Sequence, residues 1–169
     1  LYHHTAASNR VFSLSSLLVF LPEKVFVVFG SASDSEVYGQ IVQELKKHKV
    51  ELTKIDRCGE VTLHNPGQLV AYPILNLNEY GRDLRAYLHK LEQVAIDLLG
   101  DFDILARRIE GQRGVWAGCK KIASIGVGVK KWVSYHGIAI NVCNDLNQFS
   151  LIRPCGLDVQ MTSIKSLKA

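Results

Sequence analysis

Apolar β-formers cluster in two short runs near the start of the chain, Leu17-Leu18-Val19-Phe20 and Val25-Phe26-Val27-Val28-Phe29. Pro22-Glu23-Lys24 separates them and Gly30 closes the second, so both read as strands. The period then changes. Val37, Ile41, Val42 and Leu45 fall on one helical face, with Asp34 or Ser35 placed to cap it. Lys46, Lys47 and Lys49 suit the negative end of that helix and read as a solvated C-terminus. Val50 to Ile55 and Glu60 to Leu63 read as strands around Cys58-Gly59, and His64-Asn65-Pro66-Gly67 as a turn. Gln68 to Leu77 is a long β-like run in which Pro73 predicts an edge position or a bulge. The clearest helix is Tyr80 to Leu99, where Leu84, Leu88, Leu91, Ala95 and Leu98 make a stripe that Gly100 ends.

Three further β-rich stretches follow: Gly114-Val115-Trp116, Ile122 to Val129 and Ile138 to Val142. Asp145 to Phe149 reads as a short helical turn, Pro154-Cys155-Gly156 as a loop, and Thr162-Ser163 as the cap of a last helix. Strands cluster without regular βαβ alternation and helices are few. The pattern is therefore α+β rather than doubly wound.

With 169 residues, the chain suits one domain and can bury a core without disulfide staples. Its hydrophobic fraction of 47% excludes whole-chain disorder. The net charge of +4 permits an acidic partner without naming one. The four cysteines, Cys58, Cys119, Cys143 and Cys155, show no C-x-x-C and no metal-finger spacing, which points to free thiols in a reducing compartment. No apolar stretch near the start is long enough to span a membrane. Residues 1–22 lack Asp and Glu and are Ser-rich, which resembles an organellar transit peptide in composition.

Candidate chemistry is sparse. Cys143 reads as a packed small hydrophobe at a strand end, while Cys58 and Cys119 sit in turns. Cys155 lies between Pro154 and Gly156, off any periodic element, where a thiol can be presented to a pocket. His48 and His89 read as surface residues; His64 and His136 could line a pocket or simply bond to backbone. Lys120-Lys121 leads into an apolar run, so if Ile122 points inward, one lysine must leave the solvent face or the strand must bulge. A partly desolvated lysine can act as a base and can stabilise a nearby thiolate. The alternative is a solvated pair at a strand end. Gly126-Val127-Gly128 falls short of a dinucleotide motif, no Walker motif or metal-ligand pair exists, and the basic segment from Arg107 to Lys131, with Trp116 and Trp132 interspersed, carries no nucleic-acid signature.

Four segments in register resemble a known family. Arg57-Cys58-Gly59-Glu60-Val61-Thr62-Leu63-His64-Asn65-Pro66-Gly67-Gln68 is similar to the R-G-G-x-x-T-x-H-G-P-G-Q signature of lipoyl(octanoyl) transferases. Lys121-Ile122-Ala123 to Gly126 resembles its K-I-A-x-x-G, Ser134 to Val142 its S-x-H-G-x-A-x-N-V, and Pro154-Cys155-Gly156 its P-C-G. Cys58 stands where the family has its second Gly, Leu63 where it has an aromatic, Asn65 where it has Gly, and Pro22-Glu23-Lys24 where it has His-Pro-Pro.

This resemblance implies a single-domain, biotin/lipoate-protein ligase-like mixed sheet with flanking helices. It implies a catalytic domain over residues 17–169, after an extension at 1–16, with the C-terminus truncated. It implies transfer of octanoyl from octanoyl-acyl carrier protein to a lysine of lipoyl domains of 2-oxoacid dehydrogenase complexes and of the glycine-cleavage H protein. Cys155 would be the acyl-thioester nucleophile and Lys121 the partner that lowers its pKa and handles protons. Arg57, Cys58, Gly59, Glu60, Val61, Thr62, Leu63 and His64, with Ser124, Ile125, Gly126, Gly137, Ile138 and Ala139, would line the acyl and thioester site. The resemblance implies a cytoplasmic monomer (mitochondrial or plastid in a eukaryote) that uses no cofactor, metal, nucleic acid or membrane. The alternatives are an ATP-dependent lipoate ligase, which needs no nucleophilic cysteine, and an inactive relative that binds carrier or lipoyl domains.

Overall fold

The computed structural model describes residues 16–30, 41–43, 45–55, 61–152 and 159–169. The early apolar runs form β1 (Ser16–Phe20) and β2 (Phe26–Phe29). Residues 41–43 and 45–47 are helical, with Ile41 and Leu45 buried and Lys46, Lys47 and Lys49 in solvent. The caps expected at Asp34 or Ser35, and Val37, lie outside the described residues. Then come β3 (Glu51–Lys54), β4 (Val61–His64) and β5 (Gln68–Ile74).

The long helix, α1, is Leu84–Gly100: it starts with the apolar stripe at Leu84 and not at Tyr80 as expected. Leu77–Tyr80 forms a separate 3-10 turn that ends at Gly81, φ 84°. Asp83 then caps α1 by accepting from the Ala86 N–H at 2.9 Å. Four strands follow: β6 (Ala106–Ile109), β7 (Gln112–Ala117), β8 (Lys120–Lys130) and β9 (Val133–Asn141). β6 had no clear sequence signal: its Arg107-Arg108 pair breaks the apolar alternation. A 3-10 turn at Leu146–Leu151 is capped by Asp145, and Ser163 caps α2 (Ile164–Lys168).

These elements make two sheets. The larger has the order β1-β5-β9-β8-β7-β6 and the smaller β3-β2-β4. α1 covers one face of the larger sheet, packing Leu91, Ala95 and Leu99 on Val115, Ile122, Ile125, Ile138 and Ile140. The helical residues at 41 and 45 cover the smaller sheet, on Val27, Phe29, Val61 and Leu63, joined by Phe149 and Ile152. This is the expected α+β arrangement of mixed sheets with flanking helices.

Pro73 does not lie on an edge strand. β5 pairs with β1 on one side and β9 on the other. The ladder to β9 stops at Ala71–Ile138 and resumes in the same register at Asn76–Val133. Pro73, which has no N–H to give, sits in the gap. Its carbonyl accepts from Ser134 Oγ at 2.8 Å and Tyr87 Oη at 3.1 Å. Cys143 is also not the packed hydrophobe expected: it follows β9 and is exposed, as is Cys119. The strand ends at Asn141, so alternation no longer dictates where Cys143 points.

Candidate active site

A narrow cleft is lined by residues of both sheets. The smaller sheet contributes Thr62 and His64; the larger contributes Tyr72, Ser124, Gly126, His136, Gly137, Ile138 and Ala139. Strand alternation explains the selection in β4 and β8, whereas β9 contributes the consecutive residues His136 to Ala139. In β4, Val61 and Leu63 turn into the core of the smaller sheet, which leaves Thr62 and His64 on the other face. In β8, Ile125 packs under α1 while Ser124 and Gly126 reach the cleft. Val61, Leu63 and Ile125, expected to bind substrate, are thus core residues that do not line it.

Two glycines face each other across the β8–β9 ladder, Gly126 opposite Gly137. A side chain at Gly137 would start 2.3 Å from the Ala71 carbonyl oxygen, so the backbone is packed too closely there for any other residue. Beside it, His136 has φ 59°. Its ladder partner Val127 points into the core under α1. The left-handed backbone removes His136 from that alternation, at a cost of roughly 1–3 kcal/mol. Its ring sits 5.3 Å from that of Tyr72 and 5.2 Å from that of Tyr135.

Lys121 is buried, at 2% exposure, while Lys120 is exposed. The β7–β8 register shifts between Val115–Ala123 and Trp116–Lys121, which leaves Ile122 as an extra residue. This bulge lets Ile122 and Ala123 both face the α1 core. It turns Lys121 to the opposite face, the one that Ser124 shares. The desolvated lysine that the sequence offered as one of two outcomes is the one found. Lys121 Nζ lies 5.7 Å from the centre of the Trp116 ring. Its stem passes over Gly114, φ 111°, where a Cβ would stand 2.6 Å from Lys121 Cε. Its main chain is held on both sides: Lys121 N donates to Gln160 O, and Thr162 N to Lys121 O, each at 2.9 Å.

A buried polar chain connects the cleft to this segment. His64 Nδ1 is 3.1 Å from Gln68 Oε1, and Gln68 Nε2 donates to Asn141 Oδ1 at 2.9 Å. Asn141 Nδ2 donates to the Thr162 carbonyl at 2.9 Å. Gln68 and Asn141 meet because they are direct partners across β5 and β9. Asn65, fully buried, donates to Asp145 O at 2.9 Å and Gln148 Oε1 at 2.8 Å, and accepts from Asn144 at 3.0 Å. It is absent from the described non-glycine residues with positive φ, so it serves as a cross-link rather than as a turn residue standing in for Gly.

Of the expected site residues, Arg57, Cys58, Gly59, Glu60 and Cys155 lie outside the described residues. Tyr72 was not anticipated. Counting by twos from Gln68 along β5 would have found it, since Gln68, Val70 and Tyr72 share one face.

The lipoyl protein ligase A/B catalytic domain model matches residues 2–169. An octanoyltransferase of Solibacter usitatus is 49% identical over 162 residues, covering 96% of this chain and 74% of the relative. One from Caldanaerobacter subterraneus subsp. tengcongensis is 41% identical over 152 residues, covering 89% and 67%. One from Syntrophobacter fumaroxidans is 49% identical over 126 residues, covering 74% and 55%. The chain thus spans about half to three-quarters of the length of these curated relatives. Among solved structures, a lipoate-protein ligase A bound with ATP superposes with TM-score 0.75 at 17% identity, covering 91% of this chain and 65% of the other. A putative lipoate protein ligase from T. acidophilum with bound lipoic acid gives 0.73 at 16%, covering 91% and 64%. The chain belongs to the lipoyl protein ligase A/B catalytic domain family, and its fold is that of the lipoate-protein ligases.

Proposed function

We propose that this member of the lipoyl protein ligase A/B family transfers an octanoyl group from octanoyl-acyl carrier protein to a lysine of lipoate-dependent enzyme domains, through a thioester on Cys155. The observation that carries this is the placement of Lys121. A buried lysine, turned by a bulge to the face that Ser124 shares, is held through its main chain by Gln160 and Thr162. Gln160 is the fifth residue after Cys155, so the chain between them reaches at most about 18 Å. The curated relatives at 41–49% identity are octanoyltransferases, which favours transfer over ATP-dependent ligation. The ligase neighbours, at 16–17% identity, bear on the fold alone.

In the first half-reaction the Cys155 thiolate attacks the octanoyl thioester, the C–S bond to the carrier breaks, and a new thioester forms on the enzyme. Lys121 stabilises the thiolate and exchanges protons with the departing carrier thiol. In the second half the target lysine attacks, giving a more stable amide and freeing Cys155. Gly126, Gly137 and Ala139 add little side-chain bulk to a cleft whose other walls include Tyr72, His136 and Ile138, and an unbranched acyl chain would lie against these small residues. The acceptors are the lipoyl domains of 2-oxoacid dehydrogenase complexes and the H protein, and the net charge of +4 suits an acidic carrier protein. The enzyme acts as a cytoplasmic monomer. Among the described residues, no helix is long and apolar enough to cross a membrane.

The test is intact-protein mass after mixing with octanoyl-acyl carrier protein. The parent gains one octanoyl group and Cys155→Ser does not. An unmodified, folded parent, or an adduct that persists in Cys155→Ser, overturns the mechanism.

A further inference from the structure

The buried polar chain behind the cleft has a direction, and that direction fixes the chemistry of one histidine. It starts at the Thr162 carbonyl, which can only accept. The Asn141 group facing it at 2.9 Å must therefore be the NH₂, which leaves Asn141 Oδ1 as an acceptor. Gln68 must in turn offer its own NH₂ to that oxygen at 2.9 Å, and the same NH₂ lies 3.5 Å from the Leu63 carbonyl. Turning the Gln68 amide over would set its oxygen against two acceptors. Its Oε1 therefore faces His64 Nδ1 at 3.1 Å and also receives the Asn65 N–H at 3.4 Å. An acceptor oxygen requires a hydrogen on Nδ1. In neutral His64 the hydrogen is thus on Nδ1 and the lone pair on Nε2.

We infer that Gln68 and Asn141 are positioning residues that hold His64 as the Nδ1–H tautomer, so that Nε2 is its proton-accepting nitrogen in the cleft. Its partner is the N–H of the incoming amine. This catalytic use rests on the acyl-transfer mechanism proposed above, whereas the tautomer does not. As the amine nitrogen bonds to the thioester carbon, one of its protons passes to His64 Nε2. The C–S bond breaks, and its electron pair returns to Cys155 Sγ as thiolate. The imidazolium then returns the proton to the thiolate or to solvent. Three features suit His64 to this: it is buried to 5% exposure, it lines the cleft beside Ser124 and Gly126, and its ring is set against Phe26 at 5.0 Å. Its orientation is fixed before substrate arrives. Because Thr162 also bonds to the Lys121 main chain, one short segment before α2 sets both the lysine and the tautomer.

Long-range 1H–15N correlation on the labelled full chain reads the tautomer directly, with the His64 signals assigned by their loss in His64→Gln. The parent shows the Nδ1–H pattern at pH values where His64 is neutral. Gln68→Met keeps the side-chain length, removes the acceptor, and shifts His64 toward Nε2–H. In single-turnover assays, Gln68→Met slows transfer of octanoyl to a lipoyl domain about 10–100-fold more than it slows acylation of Cys155, a fraction of what a general base contributes. An Nε2–H pattern in the parent overturns the inference without any variant. A Gln68→Met protein that has lost the tautomer yet transfers to the amine at the parent rate overturns the catalytic use. Failure of the parent to acylate on Cys155 overturns the acyl-transfer mechanism instead, and leaves the tautomer to be judged from the same spectra.

Discussion

Replacing Lys121 separates what its nitrogen does from what its stem does. The side chain is 2% exposed, and its backbone is held by main-chain bonds to Gln160 and Thr162 that no substitution removes. Lys121→Met keeps an unbranched chain of similar volume over Gly114 and against Trp116. It loses a contact between nitrogen and ring worth about 0.5–2 kcal/mol, offset by no longer burying a polar group. Its stability should therefore stay within about 2 kcal/mol of the parent, and its melting temperature within roughly 4–8 °C. Lys121→Ala removes three buried methylenes at about 0.8 kcal/mol each, close to 2.5 kcal/mol before any cavity term, and melts about 5–10 °C lower. Both variants lack the nitrogen proposed to handle protons, so under that proposal both should lose about 10²–10⁴-fold in octanoyl transfer, equal to roughly 2.7–5.4 kcal/mol of barrier. Thermal melts by circular dichroism and the appearance of octanoyl on a lipoyl domain measure the two effects. A Lys121→Met enzyme working within threefold of the parent would refute the proposed role. Equal melting points for the Met and Ala variants would refute the packing of the stem.

Two other changes probe the frame around the site. Gly114→Ala places a Cβ 2.4 Å from the Ala123 carbonyl and 2.6 Å from Lys121 Cε, at φ 111°. Backbone strain and overpacking together should cost about 2–5 kcal/mol, and transfer activity should fall because Lys121 must move; a melting point within 2 °C or so of the parent would show that the gap is not filled as described. Burial pushes the Tyr87 phenol above its usual 10.0, partly offset by the Ser134 hydroxyl. A raised folded value favours the neutral form, so this stabilisation is present below about pH 10 and is lost as pH rises through the folded pKa. Tyr87→Phe gives up the bond to the Pro73 carbonyl, about 0.5–1.5 kcal/mol at neutral pH, but escapes the alkaline loss. The stability gap in urea melts should therefore narrow above pH 10, and a constant gap up to pH 11 would count against the buried phenol.

The elements were legible where a period persisted. Runs of β-formers between Gly and Pro gave β1, β2 and β8, and the leucine stripe gave α1. The stripe itself starts at Leu84, the first helical residue; the expected start at Tyr80 is four residues early because it passes over Gly81 and the Asp83 cap. Motif resemblance carried the site as contiguous runs; β9 does line the cleft with the run His136 to Ala139, but β4 and β8 supply only alternate residues. Thr62 and His64 reach the cleft while Val61 and Leu63 between them hold up the smaller sheet. The same period recovers Tyr72, which no motif contained.

Two positions escaped even that rule. At Lys121 an extra residue shifts the period by one, and at His136 a left-handed backbone removes one side chain from it. The first was foreseeable as a conflict, since two buried residues in succession cannot both lie on one face of a regular strand. The second was not, because nothing in Tyr135-His136-Gly137 signals a positive φ; at the neighbouring Gly137 the β5 backbone at Ala71 comes too close for any side chain. That contact joins residues more than sixty positions apart. So does the register pairing of Gln68 with Asn141, through which the turn after β4 and the segment after Cys155 come to act on one histidine. Residue chemistry was local enough to read; which nitrogen of His64 carries the hydrogen depends on a carbonyl at Thr162 that only the folded sheet brings within range.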